Sequence, residues 1–150
     1  MKLFRLAKKQ YAEDTQGIGG LYYSGRWHRK GVQILYTSQH ASLAVLEILA
    51  NSGRLPQNEY LVTFQIPKNA PILELSEEKL PKNWKNLPYP DELANLSEKW
   101  IQERKFWILK VPSIHASNEY NFLLNPLHLE HKNLEILGIE HYTFDRRLKN

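Results

Sequence analysis

The period of apolar and polar positions changes several times along this chain, and the changes outline its elements. Lys2 to Leu6 reads as a first strand. Tyr60 to Ile66 alternates β-branched and aromatic residues with polar ones, the pattern of a strand, and Pro67 ends it. Gly17-Ile18-Gly19-Gly20 marks a loop, and Leu21 to Trp27 and Val32 to Tyr36 read as a pair of short strands around Lys30-Gly31. Ala41 to Ala50 is almost continuously apolar and predicts a helix. Thr37 or Ser38 stands where a cap belongs, and Gly53 where a left-handed C-terminal residue belongs. Ile72 to Leu75 predicts a short strand, and residues 76–90, rich in Pro, Lys and Asn, an exposed connection. Asp91 to Arg104 spaces Leu93, Leu96, Trp100 and Ile101 as one face of an amphipathic helix. Phe106 to Val111, Tyr120 to Leu124 and Leu134 to Phe144 supply the remaining strands. Mixed sheets of short strands with two flanking helices make the expected class α+β.

Length and composition narrow this further. The 150 residues fit one compact domain, residues 1–150, able to bury roughly 68–70% of the surface an unfolded chain exposes. The absence of cysteine excludes disulfides and thiolate metal sites. Met1-Lys2-Leu3-Phe4-Arg5 reaches a charge at once, unlike a signal peptide, and no apolar run approaches a membrane span. The expectation is a soluble, cytoplasmic protein. Lys and Arg number 20 against 16 Asp and Glu, for a formal charge of +4. This mild, scattered excess suits an anionic small molecule or an acidic partner. It forms no basic cluster of the kind a nucleic-acid-binding module needs, and no helix-turn-helix, zinc or RNA-recognition signature accompanies it.

Candidate chemistry gathers around one acid. Glu47 interrupts the apolar helix run, and an unpaired carboxylate there is costly to bury, so it either faces water or is held for a purpose. On a helical wheel it shares a narrow face with His40 and Asn51, which also fits a solvent-facing stripe. Upstream, Arg26 beside Trp27 offers a planar donor fork suited to a diphosphate, and Arg5 could be a second such group. Tyr36 could stack on a ring, although strand arginines and tyrosines are more often packing residues. Gly17, Gly19 and Gly20 do not spell G-x-G-x-x-G, and no Walker-type Lys-Ser/Thr follows, so a dinucleotide would be a substrate to break and not a redox carrier. His128-Leu129-Glu130-His131 lacks H-E-x-x-H spacing and a third ligand, which argues against a metal, and Ser113 lies in no G-x-S-x-G elbow.

Together the residues resemble the RES domain family. The matching pieces are Gly25-Arg26-Trp27-His28-x-x-Gly31, Tyr36-x-Ser38, Leu43-Ala44-x-Leu46-Glu47 and Val111-Pro112-Ser113, followed by Glu119-x-Asn121, Leu124-Asn125-Pro126-x-His128 and Phe144-Asp145-x-Arg147-Leu148. Leu129-Glu130-His131 departs from the Pro-Asp-Phe common in relatives. The resemblance implies an ADP-ribosyltransferase-like fold and a toxin of a bacterial toxin–antitoxin pair that degrades NAD. A helix-turn-helix antitoxin would block its pocket, and homodimerisation is a further implication. Arg5, Arg26, Tyr36, Glu47 and Ser113 become the expected pocket residues, with Glu47, Arg26 and Tyr36 catalytic and Arg5, Arg26, Tyr36 and Ser113 binding NAD. Asn125 and His128 would be structural. NAD would be consumed as substrate with no cofactor, the nicotinamide–ribose bond being cut by hydrolysis or phosphorolysis. Transfer of ADP-ribose to a macromolecule is one alternative, and a non-catalytic basic nucleic-acid-binding module, a reading of another class, is the second. Because no second base is evident beside Glu47, inorganic phosphate is the expected co-substrate.

Overall fold

The computed structural model describes residues 1–150. Seven strands join one sheet instead of several: β1 (Lys2–Lys8), β2 (Leu35–Ser38), β3 (Glu59–Gln65), β4 (Ile72–Glu74), β5 (Ile108–Pro112), β6 (Tyr120–Leu124) and β7 (Glu135–Tyr142). Their order is β4-β5-β6-β2-β1-β3-β7, with every neighbouring pair antiparallel except the parallel β4–β5. Two helices complete the α+β domain, α1 (Ala41–Asn51) and α2 (Asp91–Glu103).

Strand alternation sorts the core into two faces. Leu3, Leu35, Val62, Phe64, Trp107, Ile108, Phe122 and Leu124 form one buried cluster. The other face carries both helices. There, Leu6, Leu61 and Phe144 pack under Ala44 of α1, and Leu109, Val111 and Leu123 pack with Leu93 and Trp100 of α2. Register fixes what lies between the helices. Phe4 pairs with Ser38, Ser38 with Asn121 and Asn121 with Val111, so a single row of side chains crosses the helix-bearing face.

Four local expectations are corrected. Leu21 to Trp27 is no strand: Ile18–Leu21 forms a 3-10 turn, and only an isolated Gly25–His28 bridge follows. Both edges of β2 are already taken by β1 and β6, which leaves that segment no partner. The strand predicted at Val32 starts at Leu35 and runs through Thr37 and Ser38, so neither caps α1. His40 is the N-cap, without a side-chain cap bond. Gly53 does not close the helix either. Ser52, in extended conformation, is its C-cap, and its hydroxyl donates to Ile48 O at 2.7 Å. The Lys149 ammonium donates to the carbonyls of Leu49 and Ser52, a cation placed where the helix dipole favours one.

Residues 76–90 are likewise more than an exposed connection. Leu80 and Trp84 are buried in the α2 cluster, and Trp84 lies against Trp27 with ring centroids 6.5 Å apart. Proline and lysine gave the segment its loop character, but two large apolar residues anchor it. Gly17 does serve the turn assigned to it. Its φ is +62°, and a Cβ there would lie 2.3 Å from the Ile34 carbonyl oxygen.

Candidate active site

A cavity of about 560 Å³ opens on the helix-bearing face between α1, the ends of β1, β2 and β6, and the loops around residues 25 and 88. Glu47 projects from α1 into its wall. One carboxylate oxygen, Oε1, accepts from Asn121 Nδ2 at 2.7 Å and from the Ser113 hydroxyl at 3.1 Å. The other, Oε2, faces His115 Nε2 at 3.5 Å. Asn121 is held in turn by the Ser38 hydroxyl, which donates to its Oδ1 at 2.7 Å. The carboxylate is therefore fixed by two hydrogen-bonding side chains while about a quarter of its side chain stays open to solvent. That answers the packing question raised by an acid in an apolar helix: it is partly buried and partnered.

Arg26 leaves the loop before β2 and also lines the cavity. Its Nη1 donates to the carbonyls of Trp84 (2.7 Å) and Asn86 (3.2 Å), and its guanidinium carbon sits 4.7 Å from the Tyr89 ring centre. Nε and Nη2 make no hydrogen bond within the chain, which leaves one edge of the fork for a ligand. Burial lowers its pKa, and Tyr89, Glu47 and Tyr36 partly offset this, so its charge and that of Glu47 belong to one electrostatic neighbourhood.

Tyr36 is more constrained than a free stacking ring. His28 Nε2 lies 2.8 Å from the Tyr23 carbonyl, which only an N–H can satisfy, so Nδ1 is the acceptor for the Tyr36 hydroxyl at 2.7 Å. Burial raises the Tyr36 pKa far beyond the usual phenol range, with the Trp27 main-chain N–H offsetting this only in part. Burial also lowers that of His28, against a raising effect of its bond to Tyr23. Tyr36 keeps its proton and both His28 nitrogens are engaged, so neither side chain offers a free base. Gly25 makes the pair possible, since a Cβ there would come within 2.8 Å of the His28 ring.

Two expected pocket residues direct their polar groups to the protein itself. Ser113 is buried, is not among the cavity-lining residues, and spends its hydroxyl on Glu47 while accepting the His115 main-chain N–H at 3.0 Å. Arg5 borders the cavity, but alternation on β1 sends its side chain away from Phe4 and Leu6, and its Nη1 donates to the Asp14 carbonyl at 3.2 Å. Burial lowers its pKa, and the carboxylates that partly offset this are Asp14 and Glu59, not Glu47. Asn51 lines the cavity as the helical wheel suggested, whereas His40, the N-cap of α1, does not. In the 128–131 turn, His131 accepts from Trp107 Nε1 at 3.0 Å and donates to the Thr15 carbonyl at 2.7 Å, so both ring nitrogens are occupied.

The RES domain family model matches residues 2–146. The chain belongs to this family. Among proteins similar to this RES domain, the Prs ADP-ribosylating toxin of Sphingobium sp. (strain YBL2) is 32% identical over 148 residues, covering 95% of this chain and 91% of its own length. Toxin Res of Photorhabdus laumondii is 33% identical over 153 residues, covering 99% and 97%. The crystal structure of the M. tuberculosis MbcT–MbcA toxin–antitoxin complex contains a chain with the same fold. Its TM-score is 0.73 at 12% identity, over 95% of this RES domain and 84% of that chain.

Sequence reading did not find His115, nor Asn121 as a partner of the acid. Asn121 stood in one of the family pieces, but nothing local links it to Glu47, 74 positions away. Period-2 alternation supplies the missing signal. Asn121, Val111 and Ser113 share a face once β5 and β6 are paired in register.

Proposed function

We propose that this RES domain is the toxin of a toxin–antitoxin pair and acts by degrading NAD, cutting the bond between nicotinamide and ribose. The observation that carries the reading is the Glu47 carboxylate, held at the cavity wall by Ser113 and Asn121 with Arg26 in its electrostatic neighbourhood. Nicotinamide in NAD is already cationic and leaves as a neutral base without a general acid. What the reaction requires is stabilisation of positive charge building on the ribose, which a fixed carboxylate provides. Glu47 would do this through a ribose hydroxyl, its Oε2 being the oxygen without a hydrogen bond. Arg26 would grip the diphosphate with its unoccupied edge, and Tyr36 would present its ring with its hydroxyl tied back to His28. Ser113 would act by holding Glu47 and not by touching the ribose, and Arg5, turned toward Asp14, would support the cavity border and not grip the diphosphate.

The relatives named as toxins and the fold shared with a toxin–antitoxin complex support the toxin role, and with it an antitoxin partner. A helix-turn-helix antitoxin is the partner we assign. The name of the Sphingobium relative favours a second reading of the same cavity, ADP-ribosyl transfer to a protein. Purified protein incubated with NAD, with and without inorganic phosphate, separates these outcomes by product mass. Nicotinamide with ADP-ribose means hydrolysis, and nicotinamide with ADP-ribose-1-phosphate means phosphorolysis. Label retained on an added protein means transfer. Intact NAD with and without phosphate, and with the added protein, would contradict the proposal.

A further inference from the structure

We infer that His115 is the general base that takes the proton of a neutral acceptor, water or a hydroxyl, in the reaction at Glu47. The inference rests on the NAD-cleaving reading above. Glu47 cannot do both jobs, because a carboxylate that accepts the acceptor's proton no longer stabilises a cation. Among the other side chains lining the cavity, few can take up a proton. The two arginines are cations, Tyr36 and His28 are committed to each other and to Tyr23, and Asn121 and Ser38 do not titrate. His115 differs from all of these. Neither ring nitrogen makes a hydrogen bond within the chain, its Nε2 stands 3.5 Å from Glu47 Oε2, and about a quarter of its side chain is open to solvent. Its backbone is also fixed. Ser113 Oγ accepts the His115 N–H while donating to Glu47, so one hydroxyl positions both groups.

The step balances without any further reactant. The C1′–N bond breaks, and its electron pair goes to the pyridinium nitrogen, giving neutral nicotinamide. The acceptor oxygen forms the new bond to C1′, and its proton passes to His115 Nε2. The resulting imidazolium lies against the Glu47 carboxylate, which stabilises it until the proton is released to solvent. Imidazole is the side chain most often used for such a transfer, and a base of this kind contributes roughly 100- to 10,000-fold.

The test compares His115→Gln with Glu47→Gln in phosphate-free buffer, with circular dichroism to verify folding. Nicotinamide release by His115→Gln should fall at least about 100-fold. Azide, an anion that needs no deprotonation, should restore its turnover and yield ADP-ribosyl azide by mass. Azide should not rescue Glu47→Gln, which lacks the charge that stabilises the ribosyl cation. Wild-type rates in His115→Gln would overturn the inference. So would equal loss of the water and azide reactions, which would make His115 a residue that merely holds Glu47; His115→Ala then shows the same equal loss. Wild-type release with phosphate but with neither water nor azide would overturn this inference and leave the NAD reading standing; no release with water, azide or phosphate would remove the NAD reading itself.

Discussion

Glu47 shows how much one residue can reveal and where that ends. An acid inside Ala41–Ala50 is legible from sequence as an anomaly, because burying it unpaired is costly. Its partners are not legible, because Ser113 and Asn121 lie 66 and 74 positions away and meet it only through the sheet. Asn121 is a positioning residue in this arrangement. Asn121→Ala should lower kcat about tenfold or more with little change in KM, as expected from losing one hydrogen bond of about 1.5–3 kcal/mol to a charged group. Steady-state nicotinamide release measures both parameters, and an effect confined to KM would mean that Asn121 contacts substrate instead. Arg26→Lys keeps the charge but cannot copy a fork that grips the Trp84 and Asn86 carbonyls on one edge and is proposed to grip a diphosphate with the other. NAD affinity, measured by calorimetry, should weaken by about 2–5 kcal/mol. Unaltered affinity would make Arg26 a packing residue.

At the scale of elements, long periodic runs are legible in the sequence and short segments with competing signals are not. The α2 helix follows its Leu93, Leu96, Trp100 and Ile101 spacing to within one residue. Thr37 and Ser38 have cap chemistry but belong to β2, because pairing with Phe122 and Asn121 outweighs a local cap. The 76–90 segment hid its importance behind Pro and Lys. Its carbonyls at residues 84 and 86 hold the guanidinium proposed to bind NAD, and Trp84 is what seats them. Trp84→Ala should therefore cost about 3–5 kcal/mol of stability, as removal of a buried aromatic does. It should also weaken NAD binding, although Trp84 does not line the cavity. Urea unfolding and calorimetry on the same variant check both. Lost stability with intact affinity would separate the segment from the site.

Over the whole molecule, the α+β class was legible from the alternation of strand and helix patterns, whereas the single sheet was not. Its order depends on which strands find partners, and the segment predicted as a strand at Leu21–Trp27 found none. Two buried histidines set a global response to pH. Burial holds both His28 and His131 below the ordinary histidine pKa, so each stays neutral in the fold. The unfolded chain takes up those protons below about pH 6.5. Stability is thus fully present above that value and falls as the pH drops through it. Urea midpoints should decline between pH 7.5 and pH 5.5, and a flat profile would count against this coupling. The central proposal is that the Glu47 carboxylate, held by Ser113 and Asn121, stabilises the ribosyl cation of NAD. Its most direct test is nicotinamide release by folded Glu47→Gln beside the wild type. Glutamine preserves the shape and can still accept from Ser113 and Asn121, so the circular dichroism spectrum should be unchanged while release falls about 100- to 1,000-fold. A correctly folded Glu47→Gln protein that releases nicotinamide at the wild-type rate would contradict the account.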